Sequence, residues 1–141
     1  MKINFNSAGY QAVLEIRREV FVKEQNVPVE LEIDEFESIC DYFLILKNNT
    51  PVATGRLRIK NQFIKFERIA TRLPFRGLGL GRELMLEMMT YAQKHYPKLV
   101  PYMHSQLEAS PFYEKLGWAP QGEIFVEAGI PHQAMIYTPH E

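Results

Sequence analysis

Apolar residues recur along the chain at two spacings, and each spacing predicts a different element. Between residues 7 and 25 they recur every three or four positions, which is typical of a helix with one buried face. A second stripe of this kind follows residue 80 and stops before Pro97. Between the two helices, the segments DYFLILKN, PVATGRLRIK and QFIKFERIAT are separated by turn residues and predict three antiparallel strands.

The remaining predicted elements are short. INF at the start and KLVPYMH after the second helix predict strands, SPFYEKLG predicts a short helix, and GEIFVEAGIPHQAMIYTP predicts a closing hairpin. The predicted order is therefore β-α-(α)-β-β-β-α-β-α-β-β, a mixed α/β fold in one domain over residues 1–141. A helix crossover joins the strands on either side of the second helix, so these two strands should be parallel.

Composition restricts the partners of the chain. Its 16 Lys and Arg against 17 Asp and Glu give a net charge of -1, which lacks the basic excess that nucleic-acid binding needs. Cys40 is the single cysteine and excludes an internal disulfide, and no stretch resembles a signal peptide or a membrane span. We therefore expect a cytoplasmic protein that binds neither nucleic acid nor a membrane. The sequence leaves open whether the chain is a monomer or a homodimer.

Three glycines stand at alternate positions in RLPFRGLGLGREL, between the third strand of the meander and the second helix: Gly77, Gly79 and Gly81. The stretch lacks the third glycine of a dinucleotide fingerprint and the Gly-Lys-Ser/Thr of a Walker loop. Two interpretations remain. One is a tight turn, and the other is a pyrophosphate site formed by the N–H groups of residues 77–82, with counter-charge from Arg76 and Arg82.

The same stretch resembles a family motif. FERIATRLPFRGLGLGREL fits the Q/R-x-x-G-x-G/A loop of the GNAT superfamily of acetyl-CoA-dependent N-acetyltransferases, with Arg76, Gly79 and Gly81 at the defining positions. SPFYEKLGW is similar to a later motif of that family, and FVKEQNVPVELEIDEFE resembles a bacterial subgroup whose acceptors are largely unassigned. The resemblance implies the acyl-CoA N-acyltransferase fold, in which a mostly antiparallel sheet with flanking helices contains one splayed parallel strand pair.

By this resemblance, acetyl-CoA is the cosubstrate. Its pyrophosphate would lie on the glycine stretch, its pantetheine amides would pair with the backbone of the preceding strand, and a short-helix residue would contact it. The implied cofactor contacts are Ile69, Ala70, Thr71, Arg76, Gly77, Leu78, Gly79, Leu80, Gly81, Arg82 and Ser110. One departure affects the last contact, because many relatives have an asparagine where this sequence offers Ser105, Gln106 and Ser110.

Acetyl transfer to an amine also needs a base and an acid. An alkylamine has a pKa of about 10.4, so it is mostly protonated at neutral pH and must lose a proton before it attacks. Glu67 is the candidate base, acting through water as in similar enzymes, and His104 is its rival. By the resemblance, Tyr113 is the general acid that protonates the departing thiolate. Each also has an ordinary alternative: a salt-bridged carboxylate, a hydrogen-bonded histidine and a tyrosine that only packs.

Several polar residues fit no motif. The acidic residues among 30–37 are either a solvated face or a rim that attracts a cationic substrate. His132 and Glu127 belong to the closing hairpin, where the family builds acceptor specificity, and are either turn residues or substrate ligands. No metal is expected, because His95, His104, His132 and His140 show no metal-binding spacing.

Three functions remain open. The first is an enzyme that transfers an acetyl group from acetyl-CoA to a primary amine by direct attack in a ternary complex. The second is a non-catalytic acyl-CoA binding or sensing module, and the third is an interaction domain that uses the fold alone. The presence of both Glu67 and Tyr113 favours the enzyme.

Overall fold

The computed structural model describes residues 1–138, so residues 139–141, which include His140 and the end of the predicted hairpin, lie outside the description. Seven strands form one sheet in the order β1-β2-β3-β4-β5-β7-β6. The strands are β1 (Lys2–Ile3), β2 (Asp41–Lys47), β3 (Thr50–Lys60), β4 (Phe63–Thr71), β5 (Val100–Gln106), β6 (Trp118–Glu127) and β7 (Ile130–Tyr137). The helices are α1 (Ala8–Arg17), α2 (Val29–Glu32), α3 (Leu80–His95) and α4 (Ser110–Lys115).

The strand directions confirm the predicted fold. Every neighbouring pair in the sheet is antiparallel except β4 and β5, which α3 connects. The parallel pairing covers only Phe63 to Phe66 on β4 and Val100 to Met103 on β5. Beyond these residues β4 runs on to Thr71 and β5 to Gln106 without pairing with each other, so the two strands separate and leave a cleft.

β5 contains a proline, Pro101. It lies opposite Ile64, inside the paired part of the two strands. Pairing between β5 and β7 begins one residue later, at Tyr102. A proline without an N–H is tolerated there because the ladder is one-sided at that residue.

The first predicted helix changes geometry along its length. It is α-helical over Ala8–Arg17 and continues in wider π-helical turns over Arg18–Glu24. Such turns often occur near functional sites. Here they carry Phe21 to the cleft between β4 and β5.

Each face of the sheet is covered by one long helix. The core between the sheet and α3 contains Phe43, Ile45, Leu57, Ile64, Phe66 and Met103 from the strands and Leu84, Met85 and Met88 from α3. The core on the other face contains Tyr42, Leu44 and Ala70 from the strands and Tyr10, Val13, Ile16 and Val20 from the first helix. Both methionines of α3 in the first set are fully buried, in keeping with a packing role. Across residues 1–138, no helix combines the length and the hydropathy that a membrane span requires.

Candidate active site

A cavity of about 460 Å³ opens where β4 and β5 separate. The two strands, α4, the π-helical end of α1 and the β6–β7 hairpin form its walls. The cavity brings together eight residues that the sequence singles out: Glu67, Ile69, His104, Ser105, Gln106, Tyr113, Glu127 and His132.

The glycine stretch forms an open backbone concavity at the start of α3. Gly77 and Gly79 have φ angles of +79° and +81°, and a Cβ added at either residue would meet no atom within 4 Å. Within residues 1–138, the N–H groups of residues 77–82 donate no hydrogen bond to the protein. Six consecutive free donors beside the positive end of a 16-residue helix are suited to an anion.

The two arginines beside this concavity differ in their contacts. Arg76 donates two hydrogen bonds of 2.7 Å to the carboxylate of Glu24 and one of 2.8 Å to the carbonyl of Thr71. Arg82 is exposed, and no carboxylate of the described residues lies within 4.0 Å of it. Arg82 therefore has its charge available, whereas Arg76 would have to exchange Glu24 for a bound anion.

A bulge in β4 sets the directions of the side chains along the cleft. Thr54 pairs with Ala70 and Arg56 with Glu67, so Gly55 alone faces both Arg68 and Ile69. Arg68 has a φ of +55°, in the left-handed region. Bulges of this kind re-aim side chains and often lie next to active sites.

The backbone of β4 beyond the bulge reaches towards the glycine stretch. An added Cβ at Gly81 would lie 3.6 Å from Thr71 and 3.6 Å from Phe112 of α4. The stretch therefore sits between the end of β4 and the helix that carries Tyr113. On their open side, residues 69–71 face the cleft, because their strand partners come only from β3.

Two buried side-chain polar atoms lack a hydrogen-bond partner within the described part of the chain, Ser110 Oγ and Trp118 Nε1. Ser110 is only 7% exposed and begins α4. A buried hydroxyl without a partner is costly, but Ser110 is not among the residues that line the cavity, so its contact with the cofactor stays a prediction.

Glu67 is surrounded by cations. Its carboxylate lies 2.9 Å from Arg58 Nε, 3.1 Å from Arg56 Nη2 and 3.2 Å from Lys65 Nζ. Burial alone would raise the pKa of Glu67, but the Arg58 hydrogen bond and the neighbouring charges outweigh it and lower the pKa to about 2. This low pKa makes Glu67 a weaker base than an ordinary glutamate, which argues against the predicted role of Glu67 as the catalytic base. That role stays a prediction. Burial lowers the pKa of Lys65.

Part of the acidic segment is buried, which neither interpretation from the sequence anticipates. Glu32 and Glu37 hold the buried guanidinium of Arg17, with Nε–Oε1 and Nη1–Oε1 distances of 2.6 and 2.7 Å. Asp34 and Glu37 also bind Arg56, at 2.6 and 3.0 Å. The signal in the sequence is Arg17 itself, because it continues the apolar stripe of α1 and a buried cation needs buried carboxylates.

Tyr113 is buried in the cavity wall at 7% exposure. Its ring packs edge-on against Phe112 and Trp118. Burial raises the pKa of its phenol above the usual value, so the hydroxyl stays protonated at neutral pH. Among the described residues the hydroxyl has no hydrogen-bond partner, and it is therefore available to a ligand.

Two histidines flank Glu127 at the hairpin side of the cavity. Nδ1 of His104 lies 3.1 Å from Glu127 Oε1, and Nε2 of His132 lies 3.7 Å from Glu127 Oε2. The hydrogen bond from His104 lowers the pKa of Glu127. Nowhere in residues 1–138 do three or more His, Cys, Asp or Glu side chains form a group that could hold a metal ion.

Comparisons with known proteins agree with this geometry. The model of the acetyltransferase (GNAT) domain matches residues 5–139. The uncharacterized N-acetyltransferase YjcF of Bacillus subtilis is 38% identical over 122 residues, which are 86% of each chain. The crystal structure of Escherichia coli ElaA superposes with a TM-score of 0.88 at 27% identity, covering 98% of this chain and 97% of that one.

A second similar structure contains a ligand. It is a Bacillus anthracis protein solved in complex with acetyl coenzyme A, with a TM-score of 0.62, 18% identity, and coverage of 72% of this chain and 63% of that one. At this identity the likeness concerns the fold.

The match of the family model along nearly the whole sequence supports acyl-CoA-dependent acyltransferase activity, and the chain belongs to the GNAT acetyltransferase family.

Proposed function

We propose that this chain transfers an acetyl group from acetyl-CoA to a primary amine, by direct attack of the amine in a ternary complex. The observation that carries the proposal is the run of six N–H groups at residues 77–82 that donate to no residue of the described part of the chain, beside a cleft that leads to Tyr113. The fold accommodates acetyl-CoA in the B. anthracis structure. A purely structural domain would have no use for this open backbone.

The cofactor would be held along the cleft in three places. The pyrophosphate would bind the N–H groups of residues 77–82, with Arg82 as counter-charge and Arg76 joining once it leaves Glu24. The backbone of residues 69–71 would pair with the pantetheine amides, and Ser110 Oγ would gain a partner. Bound acetyl-CoA supplies the activated acetyl thioester.

Two groups of the chain would act on the reacting atoms. An N–H near Ile69 would polarise the thioester carbonyl, a contribution typically of about 10²–10³ in rate. Tyr113 would protonate the thiolate, because its buried phenol keeps its proton and its hydroxyl makes no hydrogen bond within residues 1–138. The amine must lose its own proton to a base in the same cavity.

Two measurements on the purified chain test the proposal. CoA and acetyl-CoA should raise the melting temperature, and a panel of primary amines should yield free thiol and an N-acetylated product with at least one member. Stabilisation by CoA without turnover on a broad amine panel would identify a binding or sensing module instead. The absence of any CoA-dependent stabilisation would overturn the cofactor site itself.

A further inference from the structure

Five side chains in the cavity are of the right chemistry to accept a proton from the amine: Glu32, Glu67, His104, Glu127 and His132. Glu32 is already paired with Arg17, and the hydrogen bond from His104 lowers the pKa of Glu127, which makes it a weaker base. The other three differ in whether an unshared electron pair is left for a substrate. Both oxygens of Glu67 lie in ion pairs, with Arg58 on Oε1 and Lys65 on Oε2. A proton added to this carboxylate would leave buried cations without a counter-ion.

His104 is occupied on both ring nitrogens. Nδ1 faces Glu127 Oε1 at 3.1 Å, and Nε2 faces the hydroxyl of Tyr102 at 2.8 Å. A carboxylate can only accept, so Nδ1 donates to Glu127, and Nε2 then accepts from the Tyr102 hydroxyl. The neutral ring has no lone pair left for an incoming amine.

His132 has the opposite arrangement. Its Nδ1 lies 2.6 Å from the carbonyl oxygen of Ile130, which can only accept, so Nδ1 carries the hydrogen. In the neutral ring Nε2 is therefore a bare acceptor, and it lies 3.7 Å from Glu127 Oε2. Two acceptors at this distance cannot bond each other, but a donor placed against both would satisfy them together.

We propose that Nε2 of His132 removes the proton from the acceptor's ammonium and that Glu127 binds this ammonium beside it. The inference rests on the proposed amine acetylation and identifies the acceptor side of the same site. An ammonium offers three N–H donors and a positive charge, which suits one imidazole lone pair and one carboxylate. Glu127 is 49% exposed while His132 is 8% exposed, so the carboxylate is the first of the two that an entering cation meets.

Acetyl transfer to the ammonium form of the acceptor releases one proton. One proton passes from the ammonium to Nε2 of His132, and the imidazolium formed has Glu127 as its counter-ion. The neutral amine bonds to the thioester carbon, the C–S bond breaks, and Tyr113 protonates the thiolate. The phenol regains its proton from the attacking nitrogen, and His132 releases its proton to solvent. The products are the N-acetylamine, the CoA thiol and one proton.

Other titratable groups face the same cavity and define the controls. They are Glu32 from α2, Lys65, Glu67 and Arg68 from β4, His104 from β5, Tyr113 from α4 and Glu127 from β6. His104 and His132 both lie beside Glu127, so the His104 variant must be compared directly with the His132 variant.

The test compares His132→Asn, His104→Asn and the exposed control His95→Asn, with the best alkylamine found for the wild type. The asparagine amide can still donate to the Ile130 carbonyl but offers nothing in place of Nε2. We expect His132→Asn to lower kcat by about 10²–10⁴ and to remove the acidic limb of the pH–rate profile. CoA-dependent stabilisation should persist, and the loss should shrink with a hydrazine that is already neutral at the assay pH.

Glu127→Gln tests independently whether this half-exposed carboxylate binds the ammonium of the acceptor. It should raise the KM for an ammonium acceptor by roughly tenfold with a smaller effect on the neutral hydrazine. Wild-type kcat and pH profile in His132→Asn, or loss of the acidic limb in His104→Asn alone, would overturn the inference. A wild-type chain that acetylates no amine would instead overturn the proposed function, together with this inference.

Discussion

At the scale of single residues, Tyr113 is either the general acid or a residue that only packs, and its hydroxyl distinguishes the two roles. Tyr113→Phe keeps the ring that packs on Phe112 and Trp118 and removes only the hydroxyl. If the phenol protonates the thiolate, kcat should fall by about 10–10³ with little change in CoA affinity. The measurement is kcat under conditions where chemistry limits the rate. The loss should shrink with an acyl thioester whose thiol is more acidic, and a variant with wild-type kcat would show that Tyr113 only packs.

The sequence predicts Glu67 to be the catalytic base, whereas the structure surrounds its carboxylate with three cations. Glu67→Gln leaves Arg56, Arg58 and Lys65 without their shared counter-ion, so we expect the free energy of unfolding to fall by roughly 3–5 kcal/mol. Chemical denaturation at neutral pH measures this change. Glu35→Gln, an exposed position in the acidic segment, should leave stability nearly unchanged.

The same variant also tests the chemistry of Glu67. Since both of its oxygens are held by cations, Glu67→Gln should retain the acidic limb of the pH–rate profile even where kcat is lower. A variant that stays folded, binds CoA and loses this limb would instead return the base role to Glu67, as the sequence predicts.

At the scale of elements, the start of α3 carries the cofactor proposal. Gly79→Val would place a branched side chain into the empty space in front of the free N–H groups. We expect it to abolish the CoA-dependent rise in melting temperature. The substitution also strains a left-handed residue, by about 1–2 kcal/mol. Gly122→Val is the matched control, because Gly122 has a φ of +71° and an equally open surrounding but lies on β6.

The outcome depends on the difference between these two variants. Both should lose a similar amount of stability without ligand, and only the Gly79 variant should lose the response to CoA. Equal CoA responses in the two folded variants would exclude the glycine stretch as the pyrophosphate site. Arg82→Ala should weaken CoA binding less than Gly79→Val, because it removes charge but leaves the donors in place.

The elements themselves could be predicted because their signals are local. The period of the apolar residues places α1, α3 and the meander, and the crossover through α3 predicts the parallel pair. The acidic segment could not be assigned in this way, because Glu37 is buried by Arg17 and Arg56, which lie 20 and 19 residues away. The bulge at Arg68 adds one residue to β4 and shifts the alternation by one, but the strand ends at Thr71, too soon after the bulge for the shifted pattern to be recognised in the sequence.

At the scale of the whole molecule, one network of charges joins the two sides of the active site. Arg17 from α1 and Arg56 from β3 share Glu37, and Arg56 continues to Glu67 in the cavity wall. Arg68 donates to the carbonyl of Glu32, which fixes the end of α2 against β4. The acidic segment is therefore tied to the strands that form the cleft, and its Glu32 also lines the cavity.

This network makes the free energy of unfolding depend on pH in the acidic range. Burial opposes ionisation of Glu67 and Glu37, but their arginine partners outweigh it and lower both pKa values, that of Glu67 to about 2. A carboxyl whose pKa is lower in the folded chain contributes stability above its unfolded pKa of about 4.3 and loses it as the pH falls towards the folded value. We therefore expect the free energy of unfolding to decline from about pH 5 to pH 2, by roughly 3 kcal/mol for Glu67 alone.

Urea denaturation followed by circular dichroism at several pH values measures the decline. Glu67→Gln should show a smaller decline than the wild type, and the two curves should converge at low pH. Parallel curves would mean that Glu67 ionises equally easily in the folded and unfolded chain.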